Sequence, residues 1–455
     1  MANMQNEKTP MPFQDPTLRS KNFEEVALGY THEMAINEAQ RCLNCKHKPC
    51  MEGCPVGVHI PEFIQYLVND QVDEALREIK ITNNFPSICG RVCPQESQCE
   101  AKCVRGIKGE AVAIGRLERY VAEQGKVAKE EVKSNGIKVG VIGSGPAGLS
   151  CANDCAKAGF DVTIFEALHQ TGGVLSYGIP EFRLPKSIVQ KEIESLKDYR
   201  VKIETNMIVG RTITFDDLWN EGFKALFIGT GAGLPNFMNI PNENAVGVVS
   251  ANEYLTRCNL MKAYDEKYDT PIAKPKHTVV VGGGNVAMDA ARCARRLGDR
   301  VTLVYRRSLE EMPARHEEIE HAMEEGIEFK LLTNPIAMIK DDLGQVSGMT
   351  CVQMELGEPD DKGRRGVSVI EGSEFNLDCD YVIMAIGTSS NPLLKDAEKS
   401  LEVNRRGCFV VNEDQMTSVQ SVYAGGDAVS GAATVILAMG AGKKAAESIC
   451  KELLG

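Results

Sequence analysis

Apolar and polar positions recur with different periods along this chain, and the change of period marks its organisation. Up to about Leu28 the sequence is polar and carries Pro10, Pro12 and Pro16, which predicts an extended arm with little structure of its own. A helical stretch precedes Cys42. From Pro61, the apolar residues Phe63, Ile64, Leu67, Val68, Val72, Ala75, Leu76 and Ile79 recur at i, i+3, i+4 spacing, which predicts an amphipathic helix with proline at its first position. The charged segment 128–136 (AKEEVKSNG) reads as a linker. Beyond it comes a short apolar strand, Ile137–Ile142, then a Gly-rich turn, a helix and the strand Asp161–Glu166. A second charged, Pro-containing stretch, Lys262–His277, leads into the strand Thr278–Val281, and the plan repeats: Gly-rich turn, helix, then the strand at 300–305 (RVTLVY). Two copies of one nucleotide-binding unit are therefore expected. After a strand at 381–386, the short strand Val422–Ala424 introduces a Gly-rich tail with a helix from near Thr434.

Length and charge narrow the class. At about 150 residues per domain, 455 residues suggest roughly three domains. Apolar content of 43% and charged content of 25% exclude global disorder. A net charge of −12 argues against nucleic acid, because an acidic chain does not hold a phosphate backbone by bulk electrostatics. No apolar run reaches membrane-spanning length and the first residues contain no apolar signal core, so a cytoplasmic location without membrane contact is expected.

The two glycine turns differ in themselves and at the end of the next strand. Gly143-Ser-Gly145-Pro-Ala-Gly148 comes after a strand and opens a helix, so that its backbone and helix N-terminus can cradle a pyrophosphate. At the end of the next strand Glu166 is placed to bond the hydroxyls of an adenosine ribose. The second turn, Gly282-Gly-Gly284-Asn-Val-Ala287, carries Ala in third place. The equivalent offset lands on Tyr305, with Arg306 and Arg307 directly after it, two guanidiniums suited to clamp a 2′-phosphate. The first site then suits FAD and the second NADPH. The tail supplies the rest of the flavin site: Gly426 and Asp427 come after a strand, and the helix from Thr434 aims its positive end at the flavin ring.

Of 16 cysteines, eight fall between Cys42 and Cys103. They form two runs, Cys42-x2-Cys45-x4-Cys50-x3-Cys54-Pro and Cys89-x3-Cys93-Pro-x5-Cys99-x3-Cys103. Structural zinc usually shows separated C-x2-C pairs, whereas runs of four ending in Cys-Pro resemble ferredoxin loops, whose last cysteine serves the other cluster. Two [4Fe–4S] clusters are expected, and counting alone selects two all-cysteine sites with Cys89 included. Cys151 and Cys155, four apart on the helix after the first turn, read as buried small apolar residues.

With these motifs, and with Gly172-Gly173, the stretch 177–185 (YGIPEFRLP) and Glu311-Met-Pro-Ala, nearly the whole chain resembles the small (β) subunit family of NADPH-dependent glutamate synthase. That family includes the large subunit of NADH-dependent ferredoxin:NADP oxidoreductase and the N-terminal part of dihydropyrimidine dehydrogenase. The resemblance implies an α/β fold with two Rossmann-like, disulfide-reductase-like domains behind an α-helical iron–sulfur domain. Its parts would be 1–134 (clusters), 135–272 (FAD, first part), 273–380 (NADPH) and 381–455 (FAD, second part). It further implies one cluster on Cys42, Cys45, Cys50 and Cys103, and another on Cys54, Cys93, Cys99 and Glu118, leaving Cys89 a spectator. Ala147, Gly173, Val174, Arg183, Thr434 and Val435 would lie near FAD; Asn285, Val286, Ala385 and Gly387 would lie near NADPH.

The expected chemistry is hydride transfer from NADPH to flavin, then single electrons through the clusters to a partner, with no side-chain acid or base assigned as catalytic. The resemblance implies a glutamate synthase-type oxidoreductase acting on CH–NH2 donors with NADP as acceptor, serving glutamate biosynthesis as part of an oligomer. The partner would be the glutamate synthase large subunit. An alternative partner is a smaller flavoprotein working with ferredoxin in an electron-bifurcating transhydrogenase, and a non-catalytic electron-transfer module is the alternative of another class.

Overall fold

Two parallel five-stranded sheets carry the repeated unit. The computed structural model describes residues 3–128, 131–360 and 365–455; Lys129 and Glu130 of the expected linker lie outside the described residues. The first sheet has the order Val422–Ala424, Phe223–Ile228, Lys138–Ile142, Asp161–Glu166, Lys202–Thr205. The second runs Val248–Ser250, Tyr381–Met384, His277–Val281, Arg300–Val304, Glu328–Lys330. In both, the strand before the glycine turn is central and buried from its second residue on, as strands covered by helices on both faces must be. An antiparallel sheet (Thr333–Lys340, Val346–Pro359, Arg365–Val369, Phe375–Asp378) extends the second unit.

The sheets redraw two expected boundaries. Tyr381–Met384 pairs with His277–Val281, so it belongs to the second unit rather than to a returning flavin domain that starts at 381. Val248–Ser250 pairs with it from the other side, so the second unit also recruits residues assigned before 273. The two crossings between units run side by side, where Leu234–Pro235 pairs antiparallel with Thr388–Ser389.

The cysteine region is helical and has an apolar core of its own. The amphipathic pattern after Pro61 is there, but as two helices, Ile60–Val68 and Val72–Lys80. Asp70 between them adopts φ 60°, outside right-handed helix, and the chain turns back on itself. Phe63, Ile64, Leu67, Ala75, Leu76 and Ile79 then face inward together against Leu117, Tyr120 and Val121 of the helix Ile114–Gln124. Periodicity survives the break because both segments turn the same stripe to one core.

The amino-terminal arm is also more ordered than its composition predicts. Asp15 caps a one-turn helix, Pro16–Arg19. Arg19 is buried, pairs with Glu325 at 3.0 Å, and also reaches Glu324 of the second unit. Val26 donates its N–H to the Phe182 carbonyl at 2.9 Å and joins the second unit's core. The helix Val435–Leu454 closes the molecule by packing along Pro146–Lys157. Cys151 and Cys155 are fully buried there, and their mutual hydrogen bond, then burial, holds the Cys155 thiol well above its ordinary value.

Candidate cofactor sites

The first glycine turn is shaped by close approach. A Cβ on Gly148 would stand 1.9 Å from the Gly143 carbonyl oxygen, so only glycine lets the helix begin this near the strand. Gly143 has φ 99°, in the left-handed half of the map that glycine alone adopts freely. Above Gly145 there is open space, and the helix it starts has no side-chain cap. Its first N–H groups are thus left for an anion. Glu166, buried at the neighbouring strand end, accepts the Ser144 N–H and the Leu168 N–H, each at 2.9 Å.

Other segments converge on this turn. Gly173 (φ 53°) lies so close that a Cβ there would meet the Gly145 Cα at 2.9 Å, and Gly172 donates its N–H to the Ser144 hydroxyl. Gly426 approaches Ala147 and Ala438, which brings the tail against the start of the first helix. Asp427 comes next, its pKa pushed up to about 6 by burial although it accepts the Ala433 N–H. Thr434 caps the last helix through its hydroxyl, and Val435 is that helix's first residue. Val174 opens a one-turn helix directly after Gly173. The residues present fit a dinucleotide with its pyrophosphate over the turn.

Arg183 is not in this group. Its guanidinium pairs with Asp289 (2.7 Å) and Glu318 (3.0 Å), both in the second unit, while the neighbouring Phe182 ring lies under Arg296 at 3.8 Å. Phe182 and Arg183 therefore fasten one nucleotide unit to the other, while Tyr177 of the same motif stays within reach of the Asp427 and Glu166 charges. Buried charge explains the placement: Arg183 has left water and needs two carboxylates around it.

The second turn is built differently at the same positions. Gly282 (φ 146°) leaves no room for a side chain, because its Cβ would meet the Ala385 carbonyl oxygen at 2.3 Å. That contact brings Ala385 to the turn, with Gly387 two residues on at φ 99°. Gly284 starts a helix with no side-chain cap, and space above it reaches Pro313 only at 4.0 Å. Asn285 accepts the Arg315 N–H, Val286 is exposed, and Ala287 is buried. The Tyr305 ring packs on Gly283, where a carboxylate would otherwise sit. Arg306 is exposed. Arg307 is not: its Nε donates to the Arg365 carbonyl at 3.0 Å. Of the two guanidiniums, Arg306 is the open one and Arg307 is anchored to the antiparallel sheet through its Nε.

The cysteines separate into two sets. Cys42, Cys45, Cys50 and Cys103 line one apolar pocket with Leu43, Ile60 and Ile64. The second set is electrostatically linked: Cys54, Cys93 and Cys99 all feel the Glu118 carboxylate. Glu118 is buried, accepts from Asn83 at 2.6 Å, and is pushed up to about 7 by desolvation. Cys89 hydrogen-bonds Cys93, so both candidates for a fourth ligand reach this set. Among the described residues no three His, Cys, Asp or Glu converge as one bound ion would require. A cluster spreads its thiolates around a cube rather than at about 2.3 Å from one point, so two sets of cysteines gathered around separate centres are compatible with the larger group. Backbone N–H groups address the sulfurs: Asn44 that of Cys42, Val56 and Val58 that of Cys54, and Val112 that of Cys103. Burial raises Cys42, Cys54 and Cys99 thiols, so an inserted cation is what would make them thiolates. The donor set fits iron–sulfur clusters.

The second set also sits against the flavin side of the molecule. A Cβ on Gly440, in the last helix, would stand 3.0 Å from Val56, two residues after Cys54. Spacing arguments from sequence have no means of finding this contact.

Comparison with known proteins agrees with this division. Residues 19–130 match the family model for dihydropyrimidine dehydrogenase domain II, 4Fe-4S cluster, and residues 137–442 match that for pyridine nucleotide-disulphide oxidoreductase. The glutamate synthase [NADPH] small chain of Escherichia coli K12 is 35% identical across 95% of this chain and 94% of its own length. That of Azospirillum brasilense is 37% identical over 96% and 93%. The NADP(+)-dependent formate dehydrogenase subunit beta of Moorella thermoacetica is 39% identical over 88% of this chain and 59% of its own. In fold, the chain is similar to Mycobacterium tuberculosis FprA in complex with NADPH (TM-score 0.59, 18% identity, 70% of this chain, 85% of that one). It is also similar to T. acidophilum thioredoxin reductase (TM-score 0.53, 22% identity, 70% and 98%). Two parallel nucleotide-binding units behind a cysteine-lined helical domain, matched along nearly their whole length by the two glutamate synthase small chains, make the chain a member of the glutamate synthase small-chain family, an oxidoreductase using NADPH, FAD and [4Fe–4S] clusters.

Proposed function

We propose that the chain is an electron-input subunit that takes hydride equivalents from NADPH and delivers single electrons to a partner redox subunit, of which the glutamate synthase large subunit is the first candidate. When bound, the flavin supplies the conversion between two-electron and one-electron transfer. The chain's own groups bind and orient. The turn at Gly143–Gly148 and the uncapped helix behind it receive the FAD pyrophosphate, and Glu166 takes the ribose hydroxyls. The Gly282–Ala287 turn receives the NADPH pyrophosphate, with Arg306 on the 2′-phosphate. Cys42, Cys45, Cys50 and Cys103 would hold one cluster; Cys54, Cys93, Cys99 and Glu118 the other. No protein acid or base is needed for hydride transfer.

One observation supports electron passage between the flavin and the clusters. The last helix touches both redox neighbourhoods, with Ala438 beside Gly426, Gly442 against the Ala147 carbonyl, and Gly440 against Val56 in the loop after Cys54. Glutamine hydrolysis and glutamate formation find no machinery in the two matched domains, which supports assigning them to the partner. The formate dehydrogenase relative carries the same module, so the acceptor is set by the partner.

The test is anaerobic stopped-flow reduction of the purified chain by NADPH against NADH, with flavin and iron analysis. The expected result is yellow-brown protein bleached faster by NADPH, and no glutamate from glutamine and 2-oxoglutarate without a partner. Colourless protein, or efficient synthesis by the chain alone, overturns the proposal.

A further inference from the structure

Around the first cysteine set the surface changes character. Leu43, Val104 and Ile107 are exposed by 41%, 38% and 77%, and each lies within four residues of Cys42 or Cys103. Leu43 and Val104 line the same pocket as those cysteines, and Arg105 joins them there while reaching the exposed Met4 of the arm. Charge is inverted in the same place. Residues 42–53 and 101–110 carry five cations (Lys46, Lys48, Lys102, Arg105, Lys108) and two carboxylates (Glu52, Glu110), in a chain whose net charge is −12. Lys48 is paired with Glu62; Lys46, Lys102 and Lys108 stand exposed. The second cysteine set has no such face, since Cys93 and Cys99 are buried.

We infer that this apolar patch with its basic rim is the exit face, and that it docks an electron-transfer protein whose own redox edge is ringed by carboxylates. A small apolar contact beside the donor lets the partner approach closely, and the lysines steer an acidic surface toward it and release it again. The inference rests on the proposed function: each NADPH becomes NADP+ and a proton, and its two electrons leave across this face one at a time, reducing two partner centres by one electron each. The partner is defined by charge and redox type. The glutamate synthase large subunit fits only if its docking surface is acidic.

The test uses the full chain with flavin and clusters, and two probes: an acidic plant-type [2Fe–2S] ferredoxin and a basic cytochrome c. Carbodiimide, which joins lysines to carboxylates at zero length, is expected to crosslink ferredoxin to Lys46, Lys102 and Lys108. The combined variant Lys46→Glu, Lys102→Glu, Lys108→Glu is expected to slow electron exchange with ferredoxin by about tenfold or more at low salt and to speed exchange with cytochrome c. The corresponding Lys→Arg variant should retain the wild-type rates. Flavin bleaching by NADPH should be the same in all three proteins. Crosslinks concentrated elsewhere, or unchanged rates in the charge-reversed protein, overturn the inference. Failure of NADPH to bleach the unmodified chain strikes the proposed function instead, while the crosslink map still decides the docking face.

Discussion

The two nucleotide units share a plan and differ wherever a side chain would touch the cofactor. In the first, a Cβ at the third glycine is forbidden; in the second, Ala287 occupies that position and is buried without conflict. The first glycine of each turn has positive φ, 99° at Gly143 and 146° at Gly282. Both first glycines press on a carbonyl of the neighbouring strand end, Gly143 on Gly229 and Gly282 on Ala385, so the turns differ at the third position rather than the first. At the far edge, the first unit offers the Glu166 carboxylate and the second a tyrosine ring with an exposed arginine after it. One fold thus makes two sites of opposite charge preference.

Breaking the first turn should have the largest effect. Gly148→Val is expected to abolish flavin retention, read as lost absorbance at the flavin band in purified protein, while NADPH still binds. Arg306→Ala should weaken NADPH by about 30-fold, the loss of a charge-assisted contact of about 2 kcal/mol, and leave the KM for NADH unchanged. Arg307→Ala should act less on KM, since its Nε is committed to the Arg365 carbonyl.

Acid should separate the units next. His321 in the second unit is held neutral: burial, then the Arg292 charge, push its pKa down to about 4. The unfolded chain, with histidine near about 6.5, takes up the proton first. Stability is therefore lost as pH falls from about 6.5 toward 4, by about 2 kcal/mol at pH 5. Urea midpoints at pH 7 and pH 5 check this, and His321→Gln should flatten the slope. Among the described residues the first unit buries no histidine, so no comparable loss is expected there. Glu166→Gln is expected to lower flavin affinity about tenfold, some 1.4 kcal/mol, by equilibrium dialysis. Least of all, Ala287→Gly should cost about 1 kcal/mol of helix stability and spare NADPH binding.

The glycine turns, their flanking strands and the residue at the next strand end are legible in the sequence because each is a local requirement on backbone shape. The sheet membership of Val248–Ser250 and Tyr381–Met384 is not, since edge pairing is decided by crossings far apart in sequence. Arg183 illustrates the same limit. Its motif reads as flavin-proximal, and only the tertiary fold shows Asp289 and Glu318 waiting in the other unit. The arm, polar and Pro-rich, gives no sign that Arg19 and Val26 are buried, because what buries them lies in a different domain. The pattern after Pro61 reports the right face and the wrong continuity: periodicity shows which side is apolar and is silent about a turn that preserves phase.

The Arg19–Glu325 bond joins residues 306 positions apart. A ribosome adding about 5–20 residues per second needs about 15–60 s to expose the second after the first. Throughout that interval Arg19 lacks both of its carboxylates, so this turn of the arm docks only after the helix His316–Glu324 has been made, although Val26 finds the Phe182 carbonyl much earlier.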